Sequence, residues 1–400
     1  MTPSTAFMIS GGGIGGLAAA LVLAQDGHPV TVLEQAAEFG EIGAGIQLGP
    51  NIFRMFDYLG LTEAVNNVAF FPTGLGMNEV RTGEKIVRVP LGDLARATYG
   101  FPYGVIYRAD LHAVLLTACQ AQPNITLRTG AKVLSFAQSA QDVTVTLASG
   151  EALQAHALIG ADGLWSRIRE AVVGDGKPRV SGHIAYRAVL KREDVPLELW
   201  SDDVVLWGGE KTHLVHYPLR RGELFNLVAV FHSDKYDEGW NTYGDTAELT
   251  ERFAHACPQV QALLAKIDTW KMWVLCDRDP VKNWTDGRVT LLGDAAHPML
   301  QYLAQGAGQA IEDAVVLREA LRHTRGDVAR AFQTYQQARY LRTGRVQLTA
   351  RFYGDIYHAC GVQRELRNQM FQSGLESAGF AGLKWMYDGI EPSKLFKSWP

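Results

Sequence analysis

The feature that most constrains the fold is the glycine-rich sequence GGGIGG at positions 11–16. An apolar segment at 6–10 precedes it, an alanine- and leucine-rich segment at 17–25 follows it, and a β-branched segment occupies 30–33. The first and last of these segments are typical of strands, and the middle one is typical of a helix. A strand, a glycine turn, a helix and a second strand within about thirty residues predict the βαβ unit of a dinucleotide-binding domain.

The glycine spacing is suited to a pyrophosphate. Gly11 permits the tight turn, Gly13 lets the backbone approach the ligand, and Gly16 allows the helix to pack on the strand. The helix N-terminus adds oriented N–H groups and about half a positive charge. Glu34 lies at the end of the second strand, where it is placed to bind the ribose hydroxyls of the adenosine. The alternative is a glycine turn with a purely structural role.

The charge pattern supports this interpretation. Residues 1–53 contain four acidic side chains and no lysine or arginine, within a chain of 38 basic and 42 acidic residues with net charge −4. A phosphate bound there would be held by backbone and helix end. The near-neutral composition argues against nucleic acid. The start lacks the basic segment of a signal peptide, and the apolar stretch 17–24 is too short for a membrane span, so we expect a cytoplasmic protein.

The remaining pattern predicts a mixed α/β chain. Four scattered cysteines fit neither a disulfide framework nor a zinc site. A second glycine-rich stretch at 41–49 is predicted to be a loop. The other predicted elements are a helix at 109–120, two strands within 126–147, a buried strand at 157–160, antiparallel strands over 181–231 with a hairpin through 220–222, a strand at 289–292, and helices at 306–323 and 327–353.

Two further motifs follow predicted strands. One begins at Asp162-Gly163 and the other is the sequence GDAAHP, which contains Asp294; a helix opens after it at Gly306. Asp294 could accept hydrogen bonds from ribityl hydroxyls, and the helix N-terminus could stabilise negative charge on a reduced isoalloxazine. Either aspartate alone could equally be a loop residue or a helix N-cap.

Taken together, GGGIGG with Glu34, GADGLWSRIR and GDAAHP, in this order and spacing, resemble the single-component flavoprotein aromatic hydroxylases over residues 5–350. The resemblance implies an α/β fold in which a Rossmann-like FAD-binding domain is interleaved with a smaller, mainly antiparallel β-sheet substrate domain and a helical C-terminal region. The implied boundaries are 1–73, 100–176 and 277–350 for the FAD-binding domain, 74–99 and 177–276 for the substrate domain, and 351–400 for the helical tail.

The resemblance also implies the cofactor site, with tightly but non-covalently bound FAD and no metal. Glu34 would bind the adenosine ribose, Asp162 would lie near the pyrophosphate and NADH, Asp294 would bind the ribityl chain, Arg108 would contact the flavin region, and Pro298 would lie over the flavin. The full implied set is Gly11, Gly13, Ile14, Gly15, Gly16, Glu34, Gln35, Gly45, Arg108, Leu111, Asp162, Gly163, Gly293, Asp294, Pro298, Gly306 and Ala307.

Two segments, HLVHYPL at 213–219 and HPMLQYLAQG at 297–306, most resemble the members that hydroxylate 3-hydroxybenzoate. Alternate residues of a strand share a face, so His213 and Tyr217 should point together and His216 away. A histidine and a tyrosine on a strand are more often structural. The resemblance nevertheless implies that His213 with Tyr217 accepts the phenol proton and that Gln301 orients the substrate, and it gives His216 no such role.

The implied activity is aromatic ring hydroxylation with NADH and O₂ as co-substrates. NADH would reduce FAD, O₂ would give a flavin C4a-hydroperoxide, and its terminal oxygen would attack the ring, converting 3-hydroxybenzoate into 2,5-dihydroxybenzoate (gentisate). The alternatives are a salicylate 1-hydroxylase, a 6-hydroxynicotinate 3-hydroxylase and, more remotely, a non-catalytic FAD-binding redox sensor. The expected partner is a small aromatic acid, and a homodimer remains open.

Overall fold

A computed structural model describes residues 5–40, 43–233, 242–372 and 382–396. The strands are β1 Phe7–Ser10, β2 Val30–Leu33, β3 Gly45–Leu48, β4 Gly74–Glu79, β5 Lys85–Pro90, β6 Gly104–Tyr107, β7 Ile125–Arg128, β8 Val133–Gln138, β9 Val143–Leu147, β10 Ala152–Ala155, β11 Ala157–Gly160, β12 Arg179–Lys191, β13 Val204–Gly209, β14 Thr212–Leu219, β15 Leu224–His232, β16 Thr242–Tyr243, β17 Lys271–Asp277, β18 Thr285–Asp286 and β19 Val289–Leu291. The helices are α1 Ile14–Gln25, α2 Pro50–Leu59, α3 Thr62–Val68, α4 Asp93–Tyr99, α5 Arg108–Gln120, α6 Arg167–Val172, α7 Thr246–Arg252, α8 Pro258–Leu264, α9 Gly306–His323, α10 Val328–Tyr357 and α11 Gly361–Gln372.

The first sheet has six strands in the order β18-β19-β11-β1-β2-β7. Its central strand β1 runs parallel to both β2 and β11, and all four β1 residues are buried. Helix α1 is buried over nearly its whole length because it packs against the sheet, α5 and α9. This arrangement confirms the predicted βαβ unit and places the glycine turn at the carboxyl end of β1.

The second sheet has eight strands in the order β16-β17-β12-β15-β14-β13-β4-β5. Its neighbours are antiparallel except for β13 and β4. The predicted hairpin joins β14 to β15 through 220–222, where Arg220 and Arg221 adopt positive φ angles of 46° and 56°. Apolar clusters cover both faces of this sheet, so buried polar residues on it need partners from other elements.

Two local predictions are wrong. The segment 45–48, expected within a loop, is strand β3, because its backbone pairs antiparallel with β6 despite the flanking glycines; residues 41 and 42 of that stretch lie outside the described residues. The region 126–147, expected as two strands, lies within three, since β7 ends at Arg128 and β8 begins only after Gly130, which has a φ of +62°.

The C-terminal half is dominated by two long helices. Helix α9 matches its predicted bounds, and α10 continues to Tyr357, across the boundary expected at residue 350. The division into domains stays a prediction. In the part of the chain that the structure describes, no helix is both long enough and apolar enough to cross a bilayer.

Candidate active site

The glycine turn is closed by contacts that leave no room for side chains. Gly11 has a φ of +108°, and a Cβ there would overlap the carbonyl oxygen of Ala161, while one at Gly16 would overlap the carbonyl oxygen of Gly11. Gly13 is the N-cap of α1 and provides no side-chain cap for the helix. The first turn of α1 therefore presents backbone N–H groups without a capping side chain, which fits a pyrophosphate.

Glu34 lies beside this turn at the end of β2. Its Oε2 accepts a hydrogen bond from the Gly12 amide at 2.8 Å, and its Oε1 accepts one from the Ala36 amide at 2.8 Å. Gln35 follows with an exposed side chain. The Glu34 carboxylate is thus fixed next to the helix N-terminus, as a residue that binds the adenosine ribose would need to be.

Asp162 lies beside the N-terminus of α6, whose N-cap is Ser166. It accepts hydrogen bonds from the Ser166 hydroxyl at 2.6 Å and from the Arg167 amide at 2.9 Å, at the start of α6. Burial raises the pKa of this carboxyl despite those bonds. Gly163, with a φ of +77°, makes the turn that brings the carboxylate there. Asp162 is therefore a loop residue that bonds to the first turn of α6, which is the other alternative left open by the sequence, and its proximity to the pyrophosphate and NADH stays a prediction.

The GDAAHP loop is anchored by residues of α9 and α10 that the sequence analysis missed. Oδ2 of Asp313, on α9, accepts hydrogen bonds from the Gly293 amide at 3.0 Å and from His297 Nε2 at 2.6 Å. Its Oδ1 pairs with Arg339 Nε of α10 at 2.6 Å, and all these side chains are buried. Burial acts to raise the pKa of Asp313, but His297 and Arg339 outweigh it and lower that pKa to about 2.

This anchoring leaves Asp294 pointing out of the loop. Its side chain is exposed, and its Oδ1 lies 3.8 Å from the position that a Cβ would take at Gly306, the first residue of α9. A carboxylate beside a helix N-terminus that has no capping side chain suits the hydroxyl-bearing ribityl chain of FAD, which ends in the flavin ring. The signal that could have revealed the anchor is the pair Glu312-Asp313 within an otherwise apolar stretch of helix.

The other implied cofactor residues come from several elements of the chain. Pro298 is buried, and its carbonyl accepts a hydrogen bond from Gln347 Nε2 at 3.1 Å. Arg108 begins α5, with its amide bonded to the Ala44 carbonyl at 2.8 Å. Leu111 is fully buried in the apolar core. The remaining members lie on the first turns of α1 and α9: Ile14, Gly15, Gly16, Gly306 and Ala307.

Strand β14 separates its histidines as predicted. His213 and Tyr217 are both 2% exposed and face the side of the sheet where Tyr302 packs, since the rings of His213 and Tyr302 lie 5.5 Å apart. His216 faces the opposite side, where its ring lies 5.1 Å from that of Phe225. The alternation is therefore confirmed.

Tyr217 marks the place where the two-stranded sheet of β3 and β6 packs against the eight-stranded sheet. A Cβ at Gly45, on β3, would lie 2.6 Å from Tyr217 Cε2, and the Gly45 amide donates to Asn226 Oδ1 at 2.8 Å. The Tyr217 hydroxyl hydrogen-bonds Gln47, and burial raises its pKa. A glycine at position 45 thus lets β3 approach the eight-stranded sheet, which is a packing role beside the cofactor role implied for it.

Arg187 is a further candidate site residue, which the sequence analysis did not find. It lies on β12, donates a hydrogen bond from Nη2 to Gln301 Oε1, and places its guanidinium 5.2 Å from the centre of the Trp273 ring. Burial and the nearby Arg108 lower its pKa to about 10, and its Nε has no hydrogen-bond partner. Among the described residues it forms no ion pair with a carboxylate. An arginine within an apolar strand was the available signal.

His213 belongs to a cluster of four histidines. Its Nδ1 lies 2.7 Å from His358 Nε2, and His358 Nδ1 lies 3.0 Å from His232 Nε2. His183 hydrogen-bonds the Tyr302 hydroxyl through Nδ1 and stacks against His232 with ring centres 4.1 Å apart. Burial, with the neighbouring histidines, lowers the pKa of His213 to about 3. The cluster is thus neutral near pH 7, and three of its members were missed.

Known proteins resemble this chain along nearly its full length. The FAD binding domain family model matches residues 4–347. The 3-hydroxybenzoate 6-hydroxylase of Polaromonas naphthalenivorans is 45% identical, with 95% of each chain covered, and that of Klebsiella oxytoca is 44% identical, with 97% of this chain and 98% of the relative covered. The structure of Klebsiella pneumoniae HpxO complexed with FAD and uric acid is similar with a TM-score of 0.85 and 27% identity, covering 97% of this chain and 98% of that one.

Proposed function

Because the chain belongs to the FAD binding domain family and is a flavin-dependent monooxygenase, we propose that it hydroxylates 3-hydroxybenzoate para to the phenol, giving 2,5-dihydroxybenzoate, with NADH and O₂ as co-substrates. Relatives named for this reaction share 44–45% of its residues over most of both chains. The segments at 213–219 and 297–306 would supply side chains of the proposed substrate site, namely His213, Tyr217 and Gln301.

The observation that carries the proposal is the isolated charge of Arg187. Arg187 is partly buried, and a charge withdrawn from water is costly unless it is paired; the described residues provide no carboxylate for this one. An aromatic carboxylate would provide the missing charge. Gln301 is hydrogen-bonded to the guanidinium, and Tyr217 lies close enough to influence its pKa. The three side chains would therefore fix one end of a phenolic acid.

The first sheet would hold FAD. The uncapped turn at Gly13 and the fixed carboxylate of Glu34 would take the pyrophosphate and ribose, and Asp294 would take the ribityl chain. When bound, FAD supplies the transfer of electrons from NADH to O₂ that ring hydroxylation requires. The chain's own task is to orient the substrate and to exclude water, and the burial of His213 and Tyr217 at 2% exposure serves both ends.

Attack on the ring is assisted when the phenol loses its proton. A phenol with a pKa near ~10 is mostly protonated at neutral pH, so an acceptor must be held in place. His213 is neutral and buried, which makes it able to accept. Its pKa of about 3 also means that it does not retain the proton. The positive charge of Arg187 favours the phenolate that remains.

The test is a panel of 3-hydroxybenzoate, salicylate and 6-hydroxynicotinate, with product identified and H₂O₂ measured. We expect gentisate from 3-hydroxybenzoate with substrate-stimulated NADH oxidation. Arg187→Met should retain FAD and raise KM for 3-hydroxybenzoate on the order of tenfold to a hundredfold, as for a lost charged hydrogen bond. Arg192→Met, which removes an arginine stacked on Trp200, is the matched control. Turnover of salicylate alone would refute the assignment.

A further inference from the structure

The histidine cluster connects the proposed site to a cavity beside the start of β14 and the end of β15. His213 is buried between Tyr302 and Tyr357, with ring centres at 5.5 and 5.7 Å. From its Nδ1 the hydrogen bonds of 2.7 and 3.0 Å lead through His358 to His232. Exposure grows along this path, from 2% at His213 to 8% at His358 and to a half-buried His232.

The path ends at a cavity of about 270 Å³ that His232 lines. Its rim includes the exposed side chains of Glu210, Lys211, Glu251 and Arg252, so the cavity opens to solvent. It lies away from the glycine turn and the GDAAHP loop. A proton that reaches His232 therefore leaves the molecule without crossing the cofactor region.

We propose that His358 and His232 relay the phenol proton from His213 to solvent at this cavity. The proposal rests on the proposed function, because it requires a phenol beside His213. It explains how an imidazole that does not stay protonated can still serve as the acceptor: the proton is passed on as it arrives. His358 and His232 thus act through His213: they pass on its proton and lie remote from the substrate.

The proton balance follows from the ring nitrogens. The proton of the phenol hydroxyl is transferred to His213 Nε2, while the proton on His213 Nδ1 is released to His358 Nε2. His358 Nδ1–H then passes to His232 Nε2, and His232 Nδ1–H is released to water. Each imidazole gains one proton and loses one, so no charge accumulates in the buried cluster. The relay is reset when a proton travels back to the same oxygen as the hydroxylated ring regains aromaticity.

The electrostatic surroundings favour neutral imidazoles along the path. Burial lowers the pKa of His232, Lys211 and Arg252 add to that effect, and Asp355 opposes it. Burial also lowers the pKa of His358, with further contributions from the other three histidines. A neutral imidazole carries one N–H and one acceptor nitrogen, which is the form that a relay uses.

A metal site is the competing use of the same side chains. Ligand atoms of His183, His232 and His358 lie within 4.8 Å of one another. Both ring nitrogens of His358, however, already pair with imidazoles, and the cations Lys211 and Arg252 bear on His232. Both facts favour the relay over a bound cation.

The experiment uses the FAD-loaded enzyme and the substrate pair 3-hydroxybenzoate and a ring-fluorinated analogue with a more acidic phenol. We expect His232→Ala to lower kcat on the order of tenfold or more at unchanged KM and to raise the peroxide share. The loss should be smaller for the fluorinated substrate. Added imidazole, which can enter the cavity, should restore kcat in a concentration-dependent manner. His358→Gln should show the same loss without rescue.

The matched control is His255→Ala, because His255 is exposed and lines the same cavity without joining the hydrogen-bonded path. It should leave kcat unchanged and respond to imidazole no more than the unmodified enzyme. Equal behaviour of His232→Ala and His255→Ala, or a loss in His232→Ala that imidazole does not restore, overturns the relay. A stoichiometric transition metal whose chelation abolishes turnover overturns it as well. Absence of gentisate from the unmodified enzyme would instead be a failure of the proposed function.

Discussion

The glycine turn and the histidine cluster are assembled in opposite ways. The turn is built mainly from residues 11–36, which are neighbours in the sequence, and its contacts from elsewhere include Ala161 and His112, whose Nε2 lies 2.8 Å from the Gly12 carbonyl oxygen. The cluster takes its members from β12, β14, β15 and the end of α10. Local backbone rules largely account for the first, whereas the second exists only after the eight-stranded sheet and α10 have packed together. The difference teaches which parts of a site a sequence motif can carry.

Asp313→Asn gives the strongest test of this contrast, because it removes an anchor on α9 from the GDAAHP loop, which in the sequence is a short local motif. Breaking a buried charge network by removing one partner costs about 3–5 kcal/mol, so we expect a comparable loss in the free energy of unfolding in urea. Loss of the flavin absorbance of the purified protein should accompany it. Glu319→Gln, on the same helix and paired with Arg318 and Arg322 at a partly exposed position, should cost less than about 1 kcal/mol. Retention of stability in Asp313→Asn would show that the loop needs no anchor.

Asp294→Ala examines the same loop from the ligand side. Its carboxylate is exposed, so folding should be little affected, whereas FAD affinity should fall on the order of tenfold to a hundredfold, as for a lost charged hydrogen bond. Equilibrium dialysis of the apoprotein against FAD measures this directly. A full flavin complement with unchanged affinity would remove Asp294 from the cofactor site and would leave the motif with a structural role.

His216 sharpens the comparison within a single strand. Burial lowers the pKa of His216 to about 3, so the folded protein binds fewer protons than the unfolded chain below the ordinary value of 6.5. The stability that the neutral His216 contributes is fully present above pH 6.5 and is lost as the pH falls towards 3. Over that range the free energy of unfolding decreases by up to about 1.4 kcal/mol per pH unit. His216→Phe should reduce that slope in urea titrations and leave hydroxylation at neutral pH unchanged. An unaltered slope would contradict a neutral, buried His216.

Much of the fold could be predicted because the relevant forces are local. The βαβ unit, the hairpin at 220–222 and the bounds of α9 followed from glycines, β-branched residues and helical spacing. Strand β3 could not be predicted, since its glycine-rich sequence has little strand propensity and becomes a strand only through pairing with β6.

The candidate site divides along the same line. His213 and Tyr217 were found because strand alternation and a motif coincide there, and their roles stay predictions. Arg187, Asp313 and His358 were missed because each derives its meaning from a partner more than a hundred residues away, or on another element, that no spacing rule connects to it. Their signal was a charged or titratable residue in an apolar setting, which also occurs at ordinary structural positions.

Helix α10 sets the spacing between two of the contacts described above. Arg339, which fixes the GDAAHP loop through Asp313, lies within it, and His358, which meets His213, is its C-cap. At about 1.5 Å per residue the two side chains are separated by some 28 Å of continuous helix. Inserting or deleting one residue between them would turn one contact about 100° away from the other. The segment 339–358 therefore fixes both the distance and the angle between these two contacts. It should tolerate substitutions but no change in length.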